Sequence, residues 1–87
     1  KMVFQLIDMR HPPSEFDYSM LDFMSQMGIN YTILLTKSDK LNKTQFNERM
    51  EAIFDELGDF AADAQIIPTS ASTGLGIEKI KEILENT

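Results

Sequence analysis

Three short apolar runs alternating with three segments of helical period predict an α/β chain of order βαβαβα. The runs are Met2–Ile7, Tyr31–Leu35 and the stretch opening with Ile66-Ile67-Pro68. They are apolar throughout rather than alternating, as strands are when a parallel sheet is covered on both faces. Strands separated by whole helices pair in parallel through right-handed crossovers. Two crossovers stepping the same way put the first two helices on one face, leaving the other face to the last helix. The expected architecture is therefore three parallel strands with helices on both faces.

The first run carries one polar interruption, Gln5, and ends at Asp8. A chain that opens inside a core strand is expected to be part of something longer. Arg10-His11-Pro12-Pro13 reads as a loop, because consecutive prolines exclude helix and strand interior. Ser14 is a suitable N-cap, and Glu15 and Asp17 favour the positive end of the helix dipole. Phe16, Met20, Phe23, Met24 and Met27 recur at helical spacing and are expected to form the buried stripe, with Tyr18 and Asp22 largely outside it; Gly28 is the stop.

After the second run, Thr36-Lys37-Ser38-Asp39 leads into a further helix. Asn42 followed by Gln45 reads as a capping box. Phe46, Met50, Ile53, Phe54 and Leu57 form this helix's expected apolar stripe, with Glu48, Arg49, Glu51, Asp55 and Glu56 toward water and Gly58 as the stop. Residues 59–64 read as a connector. Pro68 argues that the third strand lies at an edge of the sheet. Thr69-Ser70-Ala71-Ser72 continues it toward Thr73-Gly74-Leu75-Gly76, and the last helix carries Ile77, Ile80, Ile83 and Leu84 on one side.

Composition narrows the function classes. The chain of 87 residues has 14 acids against 8 bases, net charge −6, no clustered Lys or Arg, and no cysteine. Phosphate-backbone binding needs basic residues, so nucleic acid and anionic membranes are poor partners. A disulfide framework and a cysteine metal site are excluded. No apolar run approaches the roughly 20 residues that cross a bilayer, and a cytoplasmic location is the expectation. The single histidine, His11, stands beside a Pro-Pro turn. No G-x-S-x-G elbow, no G-x-x-x-x-G-K-[ST] and no G-x-G-x-x-G occurs. No catalytic residue and no metal ligand is assigned.

What remains is a corner made by two strand tips, because ligands of open parallel sheets bind outside the carboxyl ends of the strands. Asp39 can accept two parallel hydrogen bonds from a planar N–H/NH₂ edge, which guanine has and adenine lacks. Lys37 can lie over a ring face, and the backbone N–H of Ala71 can meet a carbonyl oxygen. Two such loops about thirty residues apart with a helix between them are more specific than either alone.

Four stretches together resemble the EngB (YihA/YsxC) ribosome-biogenesis GTP-binding proteins of the TRAFAC class. Asp8-Met9-Arg10-His11-Pro12-Pro13 with Asp17 is similar to that family's D-x-R-H-x-P-x-x-x-D stretch. Thr36-Lys37-Ser38-Asp39 matches its T-K-x-D form, Thr69-Ser70-Ala71 its second guanine-binding loop, and Thr73-Gly74-Leu75-Gly76-Ile77 its lead into the last helix. The resemblance covers nearly all of residues 1–87 but about half of the family's domain. It implies the C-terminal, guanine-binding half of a Rossmann-like P-loop GTPase domain, with its N-terminal P-loop half absent.

By that resemblance Asp39 binds N1 and N2 of guanine, Lys37 packs on the base, Ala71 N–H meets O6, Thr36 and Ser70 brace the loops, and Ser72 stands where relatives often place lysine or leucine. GTP or GDP is the implied ligand, with Mg²⁺ only in the intact protein. Ribosome assembly and cell division or septation are the implied roles, and the ribosomal large subunit is the implied partner. The phosphate loop, switch threonine and D-x-x-G loop have no counterpart, so no GTP hydrolysis is expected of these residues alone. An open sheet edge invites a homodimer or swapped assembly. Two other readings stay open: a non-catalytic α/β interaction module, and the same half of an Era- or Der-like GTPase.

Overall fold

A computed structural model describes residues 3–70 and 74–85. Its elements are β1 (Val3–Asp8), α1 (Glu15–Gln26), β2 (Tyr31–Thr36), a 3₁₀ turn (Ser38–Lys40), α2 (Lys43–Leu57), α3 (Asp59–Asp63), β3 (Gln65–Pro68) and α4 (Ile77–Glu85). The sheet order is β1-β2-β3. Both pairings are parallel, with Leu6 opposite Leu34 and Leu34 opposite Ile67. Pro68 therefore lies on an edge strand, as its missing donor requires. The expected connector at 59–64 contains the short helix α3, which contributes Phe60 and Ala61 to the margin of the core.

Successive strand residues point to opposite faces, and the odd-numbered face holds the core. Ile7, Tyr31, Ile33 and Leu35 meet Leu21 and Met24 of α1 and Ile53 and Leu57 of α2, all buried. Both crossover helices thus cover one face, as expected. Gln5, the polar interruption in β1, also faces this side and donates from Nε2 to Asp17 Oδ1 at 3.0 Å. Asp17 serves the helix start as well. Its Oδ2 accepts from Ser14 N–H and its own N–H donates to Ser14 Oγ, a reciprocal capping box. The Asn42–Gln45 box is present as expected.

The buried stripe of α1 differs from the expected one. Leu21 and Met24 are buried, whereas Phe16, Phe23 and Met27 are 71%, 53% and 63% exposed. Tyr18 turns inward to α2, where its hydroxyl donates to the Glu56 carbonyl at 2.8 Å. Period alone permits either stripe, because apolar residues occur on both flanks of this helix. The sheet selects the flank that carries Leu21. In α2, likewise, Phe54 is exposed while the rest of its expected stripe turns inward. Arg49, expected in water, instead donates to the carbonyls of Met9 (2.8 Å) and His11 (2.9 Å) and pairs with Glu56 at 3.0 Å. One side chain thereby fastens the loop after β1 to α2.

On the even-numbered face Thr32, Leu34 and Ile67 are buried. The connection into α4 closes tightly over β3 at Gly76. A Cβ there would lie 2.5 Å from the Pro68 carbonyl oxygen, and its φ of +80° is one that side-chain-bearing residues rarely adopt. Over β1 this face is open, and Leu6 is 61% exposed.

Candidate functional site at the strand tips

The chain leaves β2 through one unusual residue. Lys37 is the only non-glycine described at positive φ, with φ 65° and ψ 25°. Such left-handed backbone in a bulky residue costs on the order of 1 kcal/mol and persists only where the surroundings hold it. Here they do. The turn points Ser38 inward, where it is buried, and sends Lys37 and Asp39 outward.

Ser38 is the anchor. Its Oγ and its backbone N–H both donate to the Thr69 carbonyl, at 2.7 and 3.3 Å. Thr69 answers by donating to the Leu35 carbonyl from its N–H (2.7 Å) and its Oγ1 (3.2 Å). The ends of β2 and β3 are thus stitched by four hydrogen bonds, two in each direction. Thr36 Oγ1 reaches back to the Ile7 carbonyl at 3.4 Å, a long contact that links β2 to β1. Ser70 is buried; its N–H donates to the Leu75 carbonyl at 3.1 Å and its carbonyl accepts from Gly74 N–H at 2.9 Å, closing the loop that leads to α4.

These residues border a cavity of about 360 Å³ lined by Thr36, Lys37, Asp39, Lys40, Thr69, Ile77 and Ile80. Its size falls within the range of small-ligand sites. The floor is apolar, from Ile77 and Ile80 of α4. The lip is charged: two lysines, and one carboxylate free to receive a donor edge. Of the expected site residues, Thr36, Lys37 and Asp39 come together at this cavity, and Ser70 lies in its supporting loop. Ala71 and Ser72 lie outside the described residues. Ser38 and Thr69, which hold the two loops in register, were not assigned from sequence; a small hydroxyl residue between Lys37 and Asp39 was the available signal.

A second pair stands at the tip of β1, whose last residue, Asp8, lies opposite Thr36 in the sheet. Arg10 donates from Nε to Asp8 Oδ1 (3.1 Å) and from the guanidinium terminus to Oδ2 (2.8 Å), while its backbone N–H also reaches Oδ1. This fork holds the Asp8 carboxyl down at about 2, the side-chain hydrogen bonds from Arg10 being the main cause. The Arg10 guanidinium is raised in turn, first by Asp8 and, further down, by the field of Asp39. Arg10 thus bears on the same rim as the lysines. The Asp8-x-Arg10 motif has a visible structural task here, fixing the first strand's exit loop.

No family model matches the chain. Among curated proteins, it is 40% identical over 82 residues to a probable GTP-binding protein EngB of Gemmatimonas aurantiaca, covering 94% of this chain and 39% of that one. A probable EngB of Shouchella clausii is 41% identical over 76 residues, covering 87% and 38%. The chain is related to the EngB GTP-binding proteins. It spans about two fifths of the length of the EngB relatives it matches, consistent with their C-terminal half. Among solved structures, translation elongation factor SelB of Methanococcus maripaludis superposes with a TM-score of 0.81 in complex with the GTP analogue GPPNHP and 0.80 in its apo form. In both, identity is 20%, with 98% of this chain and 19% of SelB covered. At that identity the likeness shows the fold alone, an α/β, Rossmann-like arrangement.

Proposed function

We propose that the Thr36–Asp39 and Thr69–Ser70 loops are the guanine-recognising part of an EngB-type GTP-binding protein. The observation that carries this reading is the stitched pair of loops, which spends a left-handed lysine to place Lys37 and Asp39 on the lip of one ligand-sized cavity. Asp39 receives the N1–H and N2 amino group of the base, Lys37 covers a ring face, and Ala71 N–H meets O6. Ser38 and Thr69 are positioning residues that set the spacing of the two loops.

Base recognition is what these residues supply. Two or three charge-assisted hydrogen bonds contribute about 1.5–3 kcal/mol each, and association costs at least about 4 kcal/mol. Affinity for GDP is therefore about millimolar at best. We assign Mg²⁺ chemistry and turnover to parts of the relatives that this chain does not match, as the resemblance implies. For the whole protein we propose, from the family resemblance, binding to the ribosomal large subunit and roles in ribosome assembly and septation. Large-subunit cosedimentation of a full-length relative, with and without nucleotide, checks that assignment.

The direct test is an NMR titration of the 87-residue chain with GDP, ADP and xanthosine diphosphate. GDP should shift amides around residues 36–40 and 69–70 with a millimolar constant, at least tenfold tighter than ADP. Asp39→Asn should reverse the preference toward xanthosine, which presents a carbonyl where guanine presents an amino group. Equal responses to GDP and ADP would sink the reading.

A further inference from the structure

The turn that carries Lys37 and Asp39 is held from two sides. Toward β3 the holder is the Ser38–Thr69 stitch. Toward β1 it is Met9, whose N–H donates to the Thr36 carbonyl at 2.9 Å. Thr36 is the last strand residue before the left-handed Lys37. Its carbonyl and the Lys37 N–H belong to one planar peptide unit, so fixing the first fixes the plane by which the chain enters the turn.

Met9 is itself fixed. It is fully buried, and its carbonyl accepts from Arg49 Nε at 2.8 Å. The same guanidinium holds the far side of Arg10, donating from Nη2 to the His11 carbonyl at 2.9 Å. Glu56, two turns further along α2, orients the group by accepting from Nη2 at 3.0 Å and from Nη1 at 3.3 Å. One carboxylate and two carbonyls thus occupy all three nitrogens of Arg49. Only a planar fork makes that set of bonds, whereas an ammonium is a single point of contact. The Arg49 side chain is 18% exposed, so water competes weakly for these partners. A continuous relay results: Glu56 carboxylate, Arg49 guanidinium, Met9 peptide, Thr36 carbonyl. It runs from the middle of α2 to the peptide that opens the Lys37 turn, two residues from Asp39.

We propose that Arg49 is a positioning residue for guanine recognition, setting the orientation of Lys37 and Asp39 through Met9 and Thr36. This inference rests on the reading of that corner as a guanine site. Arg49 supplies pre-organisation: the turn is held before a nucleotide arrives, so less ordering opposes binding. Removing the fork loosens the turn, and the loss falls on the base-specific bonds to Asp39 rather than on contacts that any purine makes.

The test is an NMR titration with GDP and ADP of the parent chain and of its Arg49→Met, Arg49→Lys and Ile53→Val variants. Arg49→Met keeps an apolar stem and removes the donors. Ile53→Val loosens the buried side of α2 without touching the relay, and serves as the stability control. In Arg49→Met the amides of residues 36–39 should shift before any ligand is added. GDP affinity should fall roughly three- to tenfold while ADP affinity holds. Arg49→Lys should recover only part of that loss. Ile53→Val should lower the urea midpoint and leave the GDP-to-ADP ratio at the parent value. A parent-like ratio in Arg49→Met, or in Arg49→Lys should the Met variant fail to fold, overturns the proposal. An equal fall of the ratio in Ile53→Val does the same. Equal GDP and ADP responses in the parent chain sink the guanine reading itself, and this inference with it.

Discussion

The two faces of the sheet are covered to different depths and do different work. On the odd face Ile33 and Leu35 lose all contact with water between strand and two helices. On the even face Leu34 is buried, and its neighbour across the pairing, Leu6, is mostly exposed. The odd face is also the more apolar, with Gln5 as its one polar strand residue, whereas Asp8, Thr32, Thr36 and Gln65 fall on the even face. Stability is concentrated on the odd face. The candidate ligand cavity lies on the even side, between the β2 tip and α4, where packing is thinner.

Mutations sharpen this contrast, and the largest expected effect is on the odd face. Leu35→Ala should cost about 2–5 kcal/mol. A domain of this size has a total stability of only about 4–13 kcal/mol, so urea denaturation should show a large loss or no cooperative transition. Leu6→Ala, by the same measurement, should cost well under that, about 1 kcal/mol or less. Equal losses at the two positions would erase the distinction between the faces.

Next comes Gly76→Ala, which forces a methyl group against the Pro68 carbonyl. About 1–3 kcal/mol should be lost, and hydrogen exchange should rise in α4 before it rises in α2. Ser38→Ala removes a buried donor from the Thr69 carbonyl and should cost about 1–2 kcal/mol. It should also diminish the GDP response, because the two loops lose their register. Lys37→Gly should do the reverse for stability, holding or raising it by up to about 1 kcal/mol as left-handed strain is relieved, while weakening the GDP response by removing the side chain over the ring.

The smallest effect concerns Asp8. Its folded carboxyl lies at about 2, below the ordinary 3.8. The pair with Arg10 therefore adds stability that is present above about pH 4 and lost as pH falls toward 2. Both side chains are a third or more exposed, so solvent screening keeps the contribution small. A comparison of Asp8→Asn with the parent chain at pH 7 and pH 2 should show the difference shrinking at the lower pH.

Much of this was legible in the chain itself. Element order, the parallel sheet, the N-caps at Ser14 and Asn42 and the edge position of Pro68 depend on local chemistry, which sequence displays directly. Lys37 and Asp39 could be paired with the loop at Ser70 because strand tips of a parallel sheet open on one edge. The inward flank of α1 could not be read, since Leu21 and Phe23 are equally apolar and only the neighbouring sheet distinguishes them. Arg49 eluded the reading for a similar reason: its partners are backbone carbonyls forty residues away, which carry no sequence signature. The Ser38–Thr69 stitch likewise joins a side chain to a carbonyl.

The pairing register has a consequence for how the chain folds. Val3 meets Tyr31 and Leu34 meets Ile67, so no strand contacts one adjacent to it in the chain through a short hairpin. Each sheet contact must close a loop containing a whole helix before it gains anything, and such non-local closures slow folding. Order should begin in α1 and α2, each started by a reciprocal cap; β2 can pair with β1 once the α1 crossover closes, and β3 joins after the longer α2–α3 connection. The central strand, the most buried of the three, should be the last to let go on unfolding.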